Sequence, residues 1–110
     1  MVNIIITPAH SGEDGSLLAI GHAGNDLMCN TITAICECLA VNLDQCWDVR
    51  LRRRNKPGNY ELTWNKDKRH SRGLDRANRA AGFAYNGLKA LAAEYPDHVQ
   101  VRWTRKERDA

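Results

Sequence analysis

Apolar and polar positions change their period several times along this chain of 110 residues, and each change marks an element. Residues 2–7, Val2-Asn3-Ile4-Ile5-Ile6-Thr7, are a β-branched run that predicts a strand. Residues 8–16 are punctuated by Gly12, Asp14 and Gly15 and read as a turn. Residues 17–21 form a second apolar run, which makes the first two strands a hairpin. From Asp26 the period becomes helical. Met28, Ile32, Ile35, Leu39 and Leu43 fall in one stripe, Cys29 and Cys36 lie on its flank, and Asn30 and Glu37 face the other way. Asp26 is a good N-cap for this helix. Residues 46–54 alternate, with Trp47, Val49 and Leu51 on one face and Asp48, Arg50 and Arg52 on the other. Residues 60–64 repeat the pattern, with Tyr60, Leu62 and Trp64 opposite Glu61 and Thr63. Asn55-Lys56-Pro57-Gly58-Asn59 joins the two as a second hairpin with one wet face.

A second helix spans residues 74–95 and presents Leu74, Ala77, Ala81, Ala84, Tyr85, Leu88, Leu91 and Tyr95 on one face. Its alanines predict close approach to the sheet, Phe83 points outward, and Pro96 ends it. Residues 98–104 are a last strand with Val99, Val101 and Trp103 inward, and the charged tail from Arg105 is expected to fray. The order β-β-α-β-β-α-β predicts one α+β domain over residues 1–110, a two-layer, largely antiparallel sheet with two helices.

Composition narrows the class. With 43% hydrophobic residues the chain can bury a core, which excludes wholesale disorder. The net charge is only +3, but the basic residues gather. They cluster in Arg50, Arg52, Arg53, Arg54 and Lys56, then in Lys66, Lys68, Arg69 and Arg72, and again at Arg102, Arg105, Lys106 and Arg108. Such clusters are solvated faces or a contact for an acidic surface such as RNA or the ribosome. The apolar run after Met1 is too short for a secretory signal, and residues 27–43 are interrupted by Asn30, Glu37 and Asn42, so no membrane span is expected and the chain is read as cytoplasmic. In that compartment Cys29, Cys36, Cys38 and Cys46 are expected as free thiols. Cys29 and Cys36 would lie about 10.5 Å apart along a helix axis, beyond the roughly 7 Å that a disulfide spans. No paired metal-ligand spacing is present, so neither metal nor cofactor is expected. Cys36, Cys38 and Cys46 read as packing residues, and His10, His70 and His98 as surface or loop residues.

The chemically loaded stretch is Gly21-His22-Ala23-Gly24-Asn25-Asp26-Leu27-Met28-Cys29. A strand ends near His22, a short loop turns, and Cys29 falls in the first turn of the helix. Unpaired amides and the positive helix end favour negative charge there, and a nearby imidazole can take a thiol's proton. Asp26 either accepts the Cys29 N–H as a cap or orients His22. Taken alone, a cysteine at such a place is more often a small buried hydrophobe.

These residues resemble a known family. Gly21-His22-Ala23 followed by Asp26-Leu27-Met28-Cys29-Asn30-Thr31-Ile32-Thr33-Ala34-Ile35 is similar to the Gly-His-Ala, loop, Asp-x-x-Cys-Ala-x-x-Ser-x-Leu signature of the ribosomal-processing cysteine proteases. The segment from Leu88 to Val101 resembles that family's closing helix and strand. The resemblance implies a peptidase that removes a short N-terminal extension from a large-subunit ribosomal protein precursor and works as a homodimer. It implies Cys29 as nucleophile, His22 as general base, Asp26 as the family's aspartate, and Gly21, Ala23 and Thr33 as substrate-site residues. Three features depart from the signature. Only Ala23-Gly24-Asn25 separates His22 from Asp26 where the family's loop is several residues longer, Thr33 stands in place of serine, and Asn30 in place of a small residue. Such drift also suits a phage-borne relative with another target. The other readings are a non-catalytic ribosome- or RNA-binding module that uses the basic hairpin, and an inert assembly protein on the same fold.

Overall fold

A computed structural model describes residues 1–10, 13–46, 49–66 and 72–104. The expectations for Gly12, for Trp47 and Asp48, for the charges at 68–70 and for the tail from Arg105 lie outside the described residues. The β-branched run forms strand β1 (Val2–Thr7), at which the two halves of the sheet meet. It pairs antiparallel with β2 (Gly15–Gly21) on one side and parallel with β5 (Val99–Trp103) on the other. The hairpin of β3 (Val49–Lys56) and β4 (Asn59–Lys66) extends the sheet through β2, so the strand order is β3-β4-β2-β1-β5. The sheet is mixed, with one parallel pair. A parallel neighbour needs a crossover connection, and α2 (Arg72–Glu94) supplies it between β4 and β5.

The period-two pattern decides which face is dry. Val2, Ile4 and Ile6 of β1, Leu17 and Ala19 of β2, and Tyr60, Leu62 and Trp64 of β4 are all buried. Register places them in rows, Leu62 beside Leu17 beside Ile6, and Tyr60 beside Ala19 beside Ile4. Helices α1 (Asp26–Asp44) and α2 cover this face. α2 contributes Leu74, Ala77, Ala81, Ala84 and Leu88, and its small side chains let it sit close to the strands. Phe83 points to solvent as its phase predicts, but Tyr95, expected on the apolar face, is exposed because the helix ends one residue before it, at Glu94.

Three local expectations change. Gly15 belongs to β2 rather than to the turn, because any side chain there would overlap the Trp64 ring, which is fully buried against it. Cys36, assigned to the flank of α1, lies at 1% exposure in the core. The buried stripe of α1 (Met28, Ile32, Cys36, Leu39, Ala40, Leu43) is wide because the helix packs on both the sheet and α2. Cys38, expected to pack, is exposed. Helix α1 is long and apolar enough to cross a membrane by length and composition, with mean hydropathy 1.2, but here that stripe is spent on the core.

Asn78 on α2 ties the start of the chain's first loop to the core. Its Oδ1 accepts from the Ala9 N–H at 2.8 Å and from Trp64 Nε1 at 3.3 Å, and its Nδ2 donates to the Ala9 carbonyl at 2.8 Å.

Candidate active site

The loop Ala23-Gly24-Asn25 delivers the chain from the end of β2 into α1. Its last residue is the cap. Asn25 has extended backbone, and its side-chain oxygen accepts the Met28 N–H at 2.7 Å. The Cys29 N–H donates to the Asn25 carbonyl at 3.1 Å. Asp26 is therefore the first residue of the helix and not its N-cap, and its carboxylate does not take the Cys29 amide. Asn and Asp are equally good caps, so two adjacent candidates left the sequence reading one residue off. Of the amides expected to be open at the helix start, those of Met28 and Cys29 are thus engaged by Asn25.

Cys29 is the fourth residue of α1 and half-buried. Its sulfur accepts the Ala23 N–H at 3.4 Å. His22 follows the last residue of β2 and is exposed. Its ring rests over Gly58 in the β3–β4 turn, where a Cβ would stand 2.8 Å from Nε2. Gly58 has φ +73°, and its carbonyl accepts the Gly21 N–H at 3.0 Å, so the turn is pinned beneath the end of β2.

Between the start of α1 and this hairpin tip lies an open groove of about 300 Å³. It brings together Gly21, His22, Asp26, Cys29 and Thr33 from the predicted set, along with Asn55 to Tyr60 of the hairpin. Ala23 is buried behind the groove at 2% exposure. The hairpin tip was read from the sequence only as a connection, and here it forms a wall. Along α1, Cys29, Thr33 and Glu37 succeed one another at spacings of four on the flank toward the hairpin. Glu37 was expected to face away. Instead it accepts the Tyr60 hydroxyl and pairs with Arg53 at 3.0 Å, because α1 leans over the β3–β4 ribbon. Burial, with Glu37 beside it, pushes the Tyr60 hydroxyl far above its ordinary range. Burial likewise pushes the Cys36 thiol up to about 12, with the Glu37 charge adding to the effect.

His98 was read as a surface residue. It is half-buried, and its Nδ1 lies 2.6 Å from the Ala23 carbonyl. No sequence signal pairs residues 75 positions apart. Among the described residues, no cluster of three or more His, Cys, Asp or Glu side chains has the makings of a metal site.

The five-stranded mixed sheet with two helices on one face is the fold seen in a ribosomal processing protease. The chain is similar over 94% of its length, and over the whole of the other chain, to the essential ribosomal processing protease Prp from S. aureus. In complex with a covalently linked product peptide the TM-score is 0.72 at 16% identity, and in complex with a substrate peptide it is 0.73 at 12% identity. A protein from Streptococcus mutans aligns over 96% of both chains, with a TM-score of 0.69 and 18% identity. At these identities the likeness is one of fold. No protein-family model matches the sequence, and no curated protein matches it significantly.

Proposed function

We propose that this chain is a cysteine peptidase that removes a short N-terminal extension from a large-subunit ribosomal protein precursor, with Cys29 as nucleophile and His22 as general base. The observation that carries the reading is the groove. It collects a thiol at a helix start and an imidazole on the facing strand end, in a fold shared with a protease that holds a peptide covalently. The Cys29 sulfur attacks the scissile carbonyl carbon as His22 takes the thiol proton. The C–N bond then breaks, the amine leaves with that proton, and a thioester remains. Water, deprotonated by His22, attacks the thioester carbonyl and releases the acid and the free thiol. Asp26 and Thr33 border the substrate path. The enzyme works in the cytoplasm as a homodimer, for which the outward Phe83, 77% exposed, offers an apolar contact.

The test is incubation with a synthetic peptide spanning the precursor junction, read by mass. Wild type yields two fragments, Cys29→Ser yields none, and His22→Ala cleaves about two to four orders of magnitude more slowly. Cleavage that survives Cys29→Ser refutes the proposal.

The basic ribbon favours a second reading, a ribosome- or RNA-contacting module. Strand β3 directs Arg52 and Arg54 to the face away from the helices, while Arg53 turns inward to Glu37. RNA binding that weakens steeply with salt, together with inactivity on the peptide, selects this reading.

A further inference from the structure

Ala23 bridges two side chains through its backbone. Its N–H donates to Cys29 Sγ at 3.4 Å, and its carbonyl lies 2.6 Å from His98 Nδ1. A carbonyl can only accept, so the His98 Nδ1 carries the proton. His98 is itself fixed at both backbone groups. Its N–H donates to the Tyr95 carbonyl at 3.0 Å, and its carbonyl accepts the Val2 N–H at 2.9 Å. The ring thus projects from the rigid junction of α2, β5 and β1 onto a loop that has no strand or helix ladder of its own. The next residue, Gly24, has φ +91°, so the loop's backbone path is not self-determined.

We propose that His98 is a positioning residue for Cys29. It holds the Ala23 carbonyl, and thereby keeps the Ala23 N–H aimed at the sulfur. This rests on the reading of Cys29 as nucleophile. An N–H aimed at sulfur supports the negative charge that the sulfur carries as it attacks. Without the strut, the Ala23 carbonyl loses its partner, the peptide plane can tilt about the buried side chain, and the donor loses its aim. In this short loop the Ala23 side chain is buried in the core and Asn25 is held by the helix it caps, while His98 holds the Ala23 carbonyl.

The experiment measures alkylation of Cys29 by iodoacetamide at neutral pH, peptide by peptide, with the exposed Cys38 as internal reference. In wild type Cys29 reacts faster than Cys38. His98→Ala lowers the Cys29 rate by about tenfold, the worth of one well-placed hydrogen bond, and leaves Cys38 unchanged. His98→Asn places an amide N–H where Nδ1 stood and restores most of the rate, whereas His98→Gln places its donor one bond farther out and does not. Nitrogen-15 spectra of neutral His98 show the proton on Nδ1.

If His98→Ala matches wild type while Cys29 still outpaces Cys38, the positioning role is overturned and the nucleophile reading stands. If wild-type Cys29 is no faster than Cys38, both fall. Should His98→Ala fail to fold, the contrast of Asn with Gln and the ring signature decide: equal rates, or a proton on Nε2, overturn the proposal.

Discussion

Gly58→Ala separates the part of the hairpin tip that serves the fold from the part that serves His22. Gly58 holds φ +73°, where an L side chain costs about 1 kcal/mol. That cost lowers the melting temperature by about 4–8 °C in a domain of this size. The new Cβ would also stand 2.8 Å from His22 Nε2. His22 is exposed, so the ring yields cheaply instead of straining the turn. To regain the 3.4 Å of ordinary contact it must retreat by about 0.6 Å. Misplacing a catalytic group by an ångström costs about a hundredfold, so on the proposed role of His22 as general base peptide cleavage should fall by about tenfold. Gly58→Asn isolates the two effects, because Asn tolerates the left-handed region but keeps a Cβ. It should regain most of the lost stability and none of the lost rate. In a His22→Ala background, Gly58→Ala should leave the residual rate unchanged. Thermal denaturation and cleavage assays on the four variants decide the matter. If Gly58→Asn restores rate and stability together, Gly58 acts through the fold alone and the placement of His22 over it has no functional meaning.

Asn78→Asp keeps the acceptor for Ala9 and Trp64 but turns a carboxylate toward the Ala9 carbonyl, and should cost about 1–3 kcal/mol in urea unfolding; an unchanged midpoint would show that the Asn78 bonds are not structural. Glu37→Gln retains an acceptor for the Tyr60 hydroxyl and loses only an exposed pair with Arg53, so its cost stays below about 1 kcal/mol. Glu37→Ala strands the buried hydroxyl and costs about 1–3 kcal/mol in the same assay. The Cys36 thiol sets an alkaline limit. Its value rises from 9.0 in the unfolded chain to about 12 when folded, so its contribution is complete below pH 9 and is lost as pH climbs toward 12. Unfolding free energy should therefore fall above pH 9 with a slope approaching about 1.4 kcal/mol per pH unit. Cys36→Ala should reduce the fall that begins near pH 9, leaving the Cys46 thiol, also raised by burial, to contribute there and Tyr60 to steepen the fall only at higher pH.

The fold was legible where one period dominated a segment. The run at residues 2–7 marks a strand, and the alternation at 60–64 and the stripe from Leu74 to Leu88 state which face is inward. Tyr60, Leu62, Trp64, Leu74, Ala77, Ala81, Ala84 and Leu88 are buried in the structure. Legibility failed where two elements compete for one residue. Gly15 carries the turn signal of any glycine, but its place is set by the Trp64 ring 49 positions later, a constraint that no local pattern expresses. Cys36 and Glu37 lie beyond the stripe of a helix with a single neighbour. Cys36 became a core residue and Glu37 a partner of Tyr60 and Arg53 because α1 has three neighbours: the sheet, α2 and the β3–β4 ribbon.

The site divides along the same line. Its contiguous part, from Gly21 to Cys29, stands out in the sequence because a strand end, a glycine loop and a helix start occupy nine residues, and helix geometry then fixes Cys29 within the first turns. The rest of the groove is assembled by pairing. Residue 58 meets residue 21 because β2 and β4 are neighbours, and residue 98 meets residue 23 because β5 lies parallel to β1 with its start beside the end of β2. A sequence can name the residues that carry chemistry when they are close along the chain. The residues that aim them are supplied by the sheet order, and here that order places a hairpin turn under the imidazole and a histidine behind the thiol.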